Sequence, residues 1–179
     1  MSTPYTLLKM GHPLLTQRVK PVSPLEFGTD ALKAATDLLL MAMHQEGGVG
    51  LAAPQIGIDK RIIAIGIGEH TRNKRDIQIE SQILINPMII PQSDEQEESY
   101  ESCLSVDKMI GKVSRYHHII CQSRDIDGHI ITQEVYGLHA RILQHEVDHL
   151  NGLLFLERVQ DKNNIVHPDD IKKTSYNNG

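Results

Sequence analysis

The segment Gln144-His145-Glu146-Val147-Asp148-His149 has the form H-E-x-x-H. On a helix, two histidines in this spacing lie about one turn apart, so both imidazoles reach one ion. Glu146 directly follows the first histidine. A carboxylate there can take a proton from an activated water and return it to a leaving group. A metal makes such a water available by lowering its pKa to about 7. The pattern also fits two ordinary surface histidines. The stripe they lie on argues against that: Leu138, Ile142, His145 and His149 are spaced by three or four and share one helical face. A face carrying Leu and Ile belongs inside, and two buried, unpaired imidazoles are costly. A metal ion is the simplest compensation.

The motif does not name its third ligand. In most zinc proteases that ligand is a His or Glu downstream, and the chain after His149 offers His167, Glu157 and several Asp residues. Upstream stands Cys103. Taken alone, Cys103 reads as a small buried apolar residue, and Cys121 reads as structural within a strand.

The elements that must position these groups follow from local patterns. The first 28 residues are rich in Pro and Gly and read as an extended arm with turns. Thr29 or Asp30 caps a helix from about Ala31 to Gln45, with Leu38, Met41 and Ala42 on one face and Gly47-Gly48 at its end. Arg61 to Gly68 and Gln82 to Ile90 read as strands, the second interrupted at Asn86-Pro87. His70 to Glu80 reads as a loop, and the acidic run Ser93 to Glu98 as a solvated loop. Lys112 to Asp125 and His129 to Tyr136 read as two strands joined by a hairpin at Asp127-Gly128. Gly137 to Leu150 is the second helix, closed by Gly152. Pro168-Asp169-Asp170 starts a last short helix, and the final Asn-Asn-Gly frays. The expected fold is α+β and single-domain: antiparallel and mixed sheets packed around a central helix carrying H-E-x-x-H, with an N-terminal helix and a short C-terminal helix or tail. Residues 1–160 form the catalytic domain and 161–179 a polar tail.

Composition narrows the partners. The chain has 179 residues, 40% hydrophobic, with no Trp and a net charge of −5. There is no basic excess for specific nucleic-acid binding or for an anionic membrane surface. Two cysteines are too few for a disulfide framework and suit a reducing compartment. No apolar run approaches the roughly 20 residues that cross a bilayer, and the N-terminus has neither signal- nor transit-peptide character. The expected location is the cytoplasm.

Three segments together resemble the peptide deformylases. Gly48-Val49-Gly50-Leu51-Ala52-Ala53-Pro54-Gln55 is similar to that family's G-x-G-x-A-A-x-Q, Glu101-Ser102-Cys103-Leu104-Ser105 to its E-G-C-x-S, and Gln144 to His149 to its Q-H-E-x-D-H. The resemblance covers residues 5 to 160. It implies removal of the N-formyl group from the initiator methionine of nascent polypeptides, by attack of metal-bound hydroxide with Glu146 as general acid/base. It implies Cys103, His145 and His149 as ligands of one divalent ion, with Fe(II) the usual native metal and Zn, Ni or Co able to replace it. It also implies that the Gln55 side chain and the Leu104 N–H hold the oxyanion, where one such donor is worth roughly 3 kcal/mol. Gly48, Val49 and Gly50 then face the substrate, and Val49, Leu138 and Ile142 line a methionine pocket. Glu101 belongs to the ligand-bearing motif, and an Arg115–Asp148 pair steadies the metal helix.

Three positions depart from the family pattern: Ser102 stands for Gly, and Asp107 and Ser114 stand for Pro. Ser102 adjoins the ligand cysteine and raises two questions, crowding of the cleft and restriction of φ. Two other functions compete with deformylation. A zinc endopeptidase would need a third ligand after His149 and no Cys103. A non-catalytic relative would have no need of Glu146 or Gln55. Lys172-Lys173 in the tail is a candidate for transient ribosome contact, opposed by Asp169 and Asp170 beside it.

Overall fold

A computed structural model describes residues 4–69, 71 and 77–167. The N-terminal arm crosses the molecule with one 3-10 turn, Pro13–Thr16, and reaches helix α1, Asp30–Gln45. The Thr29 hydroxyl accepts from Leu32 N at 3.2 Å, satisfying an otherwise orphaned donor. The buried stripe of α1 is Leu32, Thr36, Leu39 and Met43, with Ala42 beside it. Leu38 and Met41, expected to share a face with Ala42, flank this stripe and are half-buried.

The strands are β1 (Gly50–Ala52), β2 (Ile62–Ile67), β3 (Ile79–Pro91), β4 (Gln96–Cys103), β5 (Val106–Tyr116), β6 (His118–Arg124), β7 (Ile130–Tyr136) and β8 (Ile165–Val166). They form a five-stranded sheet in the order β1-β2-β3-β6-β7 and a three-stranded sheet in the order β4-β5-β8. Every pairing among the described residues is antiparallel. Helix α2, Gly137–Leu150, lies between the sheets and packs against β1, β2, β3, β5, β6 and β7. Its Ala140, Leu143, Val147 and Leu150 join Ile63, Ile65, Leu84 and Ile119 in one core. Burying a Leu or Ile side chain contributes roughly 1.5–3 kcal/mol, so α2 is anchored along its whole length. The short helix α3, Phe155–Arg158, closes the second sheet with Phe155 and Val159 against Val106 and Val113.

The structure revises four local expectations. Residues 112–125 are not one strand. The chain bends at His117 and passes from one sheet to the other, so β5 and β6 share no partner strand. The inward residues Val113, Arg115, Ile119, Cys121 and Ser123 keep one alternation through the bend, so period-2 patterning does not register it. The acidic run is also not wholly loop: Gln96, Glu97 and Glu98 open β4, paired with Tyr116, Arg115 and Ser114. β4 is an edge strand whose exposed side chains look like those of a solvated loop. Ile79 and Glu80, read as loop, begin β3. The interruption at Asn86-Pro87 is a register shift within a continuous strand, with Asn86 at φ +52°.

Beyond residue 160 the chain makes a 3-10 turn, Lys162–Asn164, and β8 pairs with Ile110 and Gly111 of β5. The helix expected from Pro168 lies outside the described residues. Gly152, at φ +76°, ends α2 where the arm crosses. A Cβ there would lie 2.7 Å from the backbone of Gln17, so both conformation and space call for glycine. Among the described residues, no helix is long and apolar enough to cross a membrane.

Candidate metal centre

Cys103 comes from the end of β4, and His145 and His149 from consecutive turns of α2. Their ligand-type atoms all lie within 4.8 Å of one another. Cys103 Sγ and His149 Nε2 are 3.3 Å apart. Two such donors on one tetrahedral ion stand about 3.5 Å apart, so the spacing fits a metal. The chemistry fits as well: one thiolate and two imidazoles suit Zn, Fe(II), Co or Ni. The alternative downstream candidates lie elsewhere. Glu157 Oε2 accepts from Leu154 N at the start of α3, and His167 is exposed outside the cluster.

A buried charge network orients the helix. Glu101 Oε2 accepts from His145 Nδ1 at 2.8 Å, which leaves His145 Nε2 for an ion. Arg115 is bidentate to Glu101, with both bonds at 2.9 Å, and its Nη1 lies 2.5 Å from Asp148 Oδ2. Arg141 Nη1 donates to Glu101 Oε1 at 2.9 Å, and Arg158 grips both Asp148 oxygens at 2.6 and 3.0 Å. Burial opposes ionisation of Glu101, but hydrogen bonds from His145 and Arg115 outweigh it and hold its carboxyl well below the usual range. The Arg115–Asp148 pair suggested by the family pattern is thus a contact, within a wider network. Arg141 and Arg158 were not singled out in the sequence. Arg141 had one available signal, its place four residues before His145 on the same helix; Arg158 had none.

Glu146 is buried beneath this layer, and its Oε2 has no hydrogen-bond partner among the described residues. Burial is the largest influence on its carboxyl. With the Cys103 thiolate nearby, burial outweighs the attraction of His145 and His149 and raises the pKa to about 7. Gly50 makes the space for it: a Cβ at position 50 would lie 2.7 Å from the Glu146 carboxyl carbon. Gly50 therefore makes room for Glu146 as well as lining the cleft. Burial would raise the Cys103 thiol, but the attraction of His149 and hydrogen bonds from both histidines outweigh it, so the thiol lies well below its ordinary value.

Gln55, in the 3-10 turn Ala53–Ile56, is buried and held at both ends. Its Oε1 accepts from Ala52 N at 2.7 Å. Its Nε2 donates to Ser105 Oγ at 3.0 Å and lies 3.5 Å from Cys103 Sγ. A cleft of about 440 Å³ opens onto these groups, lined by Gly48, Val49, Gly50, Leu104, Leu138 and Ile142 among others. All the residues singled out in the sequence for binding substrate therefore face one cavity. Ser102 is exposed on its wall, with φ outside the left-handed region. Asp107 pairs with Lys9, and Ser114 Oγ donates to Gln96 Oε1.

Known proteins share this arrangement of sheets and helix. Residues 4–164 match the model of the polypeptide deformylase family. The chain is 41% identical over 157 residues to peptide deformylase 1 of Bordetella pertussis, covering 88% of each protein. It is 39% identical over 166 residues to peptide deformylase 1 of Nitrosomonas europaea, covering 92% of this chain and 93% of that one. The crystal structure of the Met-Ala-Ser-bound class I type b peptide deformylase from Acinetobacter baumannii superposes with a TM-score of 0.81 at 34% identity, covering 88% of this chain and 100% of that one. The actinonin-bound form of that enzyme superposes with a TM-score of 0.77, covering 89% and 100%. The match runs through all three of this chain's motifs, and the chain belongs to the polypeptide deformylase family.

Proposed function

We infer that this cleft hydrolyses the N-formyl group from the initiator methionine of nascent polypeptides, yielding formate and a free amino terminus. The observation that carries the reading is the grouping of Cys103, His145 and His149 at the base of a cleft whose lining includes Cys103, His145, Glu146 and Gln55. The family is metal-dependent. We assign Cys103, His145 and His149 as ligands of one divalent ion, with Fe(II) as the native metal and Zn, Ni or Co as substitutes. When bound, the ion supplies a water of lowered pKa and a Lewis acid for the formyl oxygen.

The remaining roles fall to the chain itself. Glu146, a buried carboxylate beside the proposed ligands, takes the proton from water and hands it to the departing amine nitrogen. The Gln55 amide and the Leu104 N–H face the oxyanion that develops on the formyl oxygen. Gly48, Val49 and Gly50 form the wall along which the peptide lies. Val49, Leu138 and Ile142 receive the methionine side chain. Glu101 holds His145 in the tautomer that presents Nε2, and Arg115 and Asp148 fix Glu101 and the helix.

We place the reaction in the cytoplasm, with residues 1–160 as the catalytic domain and 161–179 appended. Any transient ribosome contact through Lys172 and Lys173 would involve residues beyond those described.

The test is anaerobic purification, metal analysis and a formate-release assay on formyl-Met peptides. Wild type should release formate. Glu146→Ala should keep its metal and lose about 10²–10⁴-fold in kcat, and Cys103→Ala should lose the metal. Full activity in Glu146→Ala would refute the mechanism. Cleavage of internal peptide bonds without formate would point to an endopeptidase.

A further inference from the structure

The N-terminal arm runs beside the cleft and is stitched to both segments that carry oxyanion donors. Leu8 N donates to Gln55 O at 2.8 Å, and Met10 N to Ser105 O at 2.8 Å. Between them, Lys9 Nζ donates to Leu104 O at 2.9 Å and to Asp107 Oδ1 at 2.8 Å. Asp107 supplies the carboxylate that clamps Lys9.

Leu104 O and Ser105 N belong to one peptide unit. In a trans amide they point in opposite directions. Lys9 holds the carbonyl end, and the N–H end points at Cys103 Sγ, 3.4 Å away. A cation on the carbonyl polarises the amide and strengthens the bond its N–H gives to sulfur. The same plane ends at the Leu104 Cα, one bond from the Leu104 nitrogen whose N–H faces the oxyanion in the mechanism above. We propose that Lys9 is a positioning residue: clamped by Asp107, its ammonium on the Leu104 carbonyl orients the peptide that joins the oxyanion donor to the Cys103 thiolate. This rests on the deformylase reading.

An exposed ion pair adds little to global stability, and Lys9 and Asp107 are 49% and 71% exposed. A loss of activity in a Lys9 variant is therefore a local effect rather than unfolding. Misplacing a catalytic donor by a fraction of an ångström costs about tenfold or more in rate.

The experiment compares Lys9→Met, Lys9→Arg and a surface control, Lys20→Met, whose pair with Asp59 is of the same exposed kind. Steady-state kinetics on a formyl-Met peptide are combined with the thiolate-to-cobalt charge-transfer band of cobalt-loaded protein. Lys9→Met should lower kcat about tenfold with KM within about twofold and should move the cobalt band to longer wavelength, because the sulfur loses hydrogen bonding. Lys9→Arg should recover both, and Lys20→Met should match wild type in both. Unchanged kcat and cobalt band in Lys9→Met, with at most a lower Tm, would overturn the proposal. So would a raised KM at constant kcat, which would make Lys9 a peptide-binding group. If wild type released no formate, the deformylase reading would fail by itself, and the cobalt band would still decide whether Lys9 acts on Cys103.

Discussion

Gly50 and Glu146 share one space: a Cβ at position 50 would lie 2.7 Å from the Glu146 carboxyl carbon and 2.8 Å from its Cγ. Gly50 is buried in β1, paired with Ile65, and cannot retreat. Gly50→Ala should therefore displace the carboxylate rather than the strand. The expected loss in kcat/KM is about 10²-fold, with metal content intact and a stability cost of roughly 1–3 kcal/mol for the overpacked site. Formate-release kinetics with metal analysis measure it. Activity within about threefold of wild type would show that the Glu146 carboxylate has freedom to move.

Arg115 and Asp148 are each about 5–6% exposed at the side chain and sit 2.5 Å apart. Removing one partner of a buried pair costs roughly 3–5 kcal/mol, because it leaves the other charge uncompensated. Asp148 keeps Arg158, so Arg115→Met should act mainly through Glu101, loosening its hold on His145. The expectation is about 3 kcal/mol of lost stability and metal affinity weaker by roughly 10–100-fold. Arg115→Met with Asp148→Asn should fall short of additivity by at least about 1 kcal/mol, measured by denaturant unfolding of the full cycle. Strict additivity would mean the pair carries no coupling. The stabilisation due to Glu101 also has a definite sign. Its folded pKa is lowered, so the contribution is present above the unfolded carboxyl pKa and is lost only as pH falls through the folded value.

The helix that carries His145 and His149 was legible because its information is local: a 3.6-residue period, an i,i+4 pair and a closing glycine. Cys103 was legible only by resemblance, since nothing near residue 103 reveals that β4 ends 3.3 Å from His149. Arg141 and Arg158 escaped notice because their acceptors are set by packing between elements, Arg141 reaching Glu101 across 40 residues of chain. The switch between sheets at His117 was hidden for a different reason. From Val113 to Ser123 the buried side chains are all odd-numbered, so the pattern runs unbroken through a bend that changes every backbone partner. Gly50 was read as room for a substrate, and the side chain it makes room for is Glu146.

Ser102 replaces the family's glycine, and its backbone needs no glycine, since its φ is outside the left-handed region. Its side chain is exposed on the cleft wall. Ser102→Gly should therefore change kcat/KM on formyl-Met peptides by less than about threefold. It should lower stability by roughly 0.5–1 kcal/mol through the greater freedom of the unfolded chain. A gain in kcat/KM well beyond that would show that the hydroxymethyl group obstructs the peptide.

The two cysteines offer a test of the ligand set that does not depend on turnover. Both are free thiols. Cys121 lies fully buried in β6, where burial pushes its thiol up to about 12. Cys103 borders the cleft, with its thiol held well below the ordinary value once the pull of the two histidines outweighs burial. Alkylation requires an accessible thiolate. In metal-free protein near neutral pH, iodoacetamide should modify Cys103 at least about tenfold faster than Cys121, and Cys121 should react only after unfolding. Zinc or cobalt added first should protect Cys103, because a coordinated thiolate is withdrawn from attack. Peptide mass spectrometry of a reaction time course reads both rates. Equal reactivity of Cys103 with and without metal would remove it from the ligand set and leave His145 and His149 in need of another third donor.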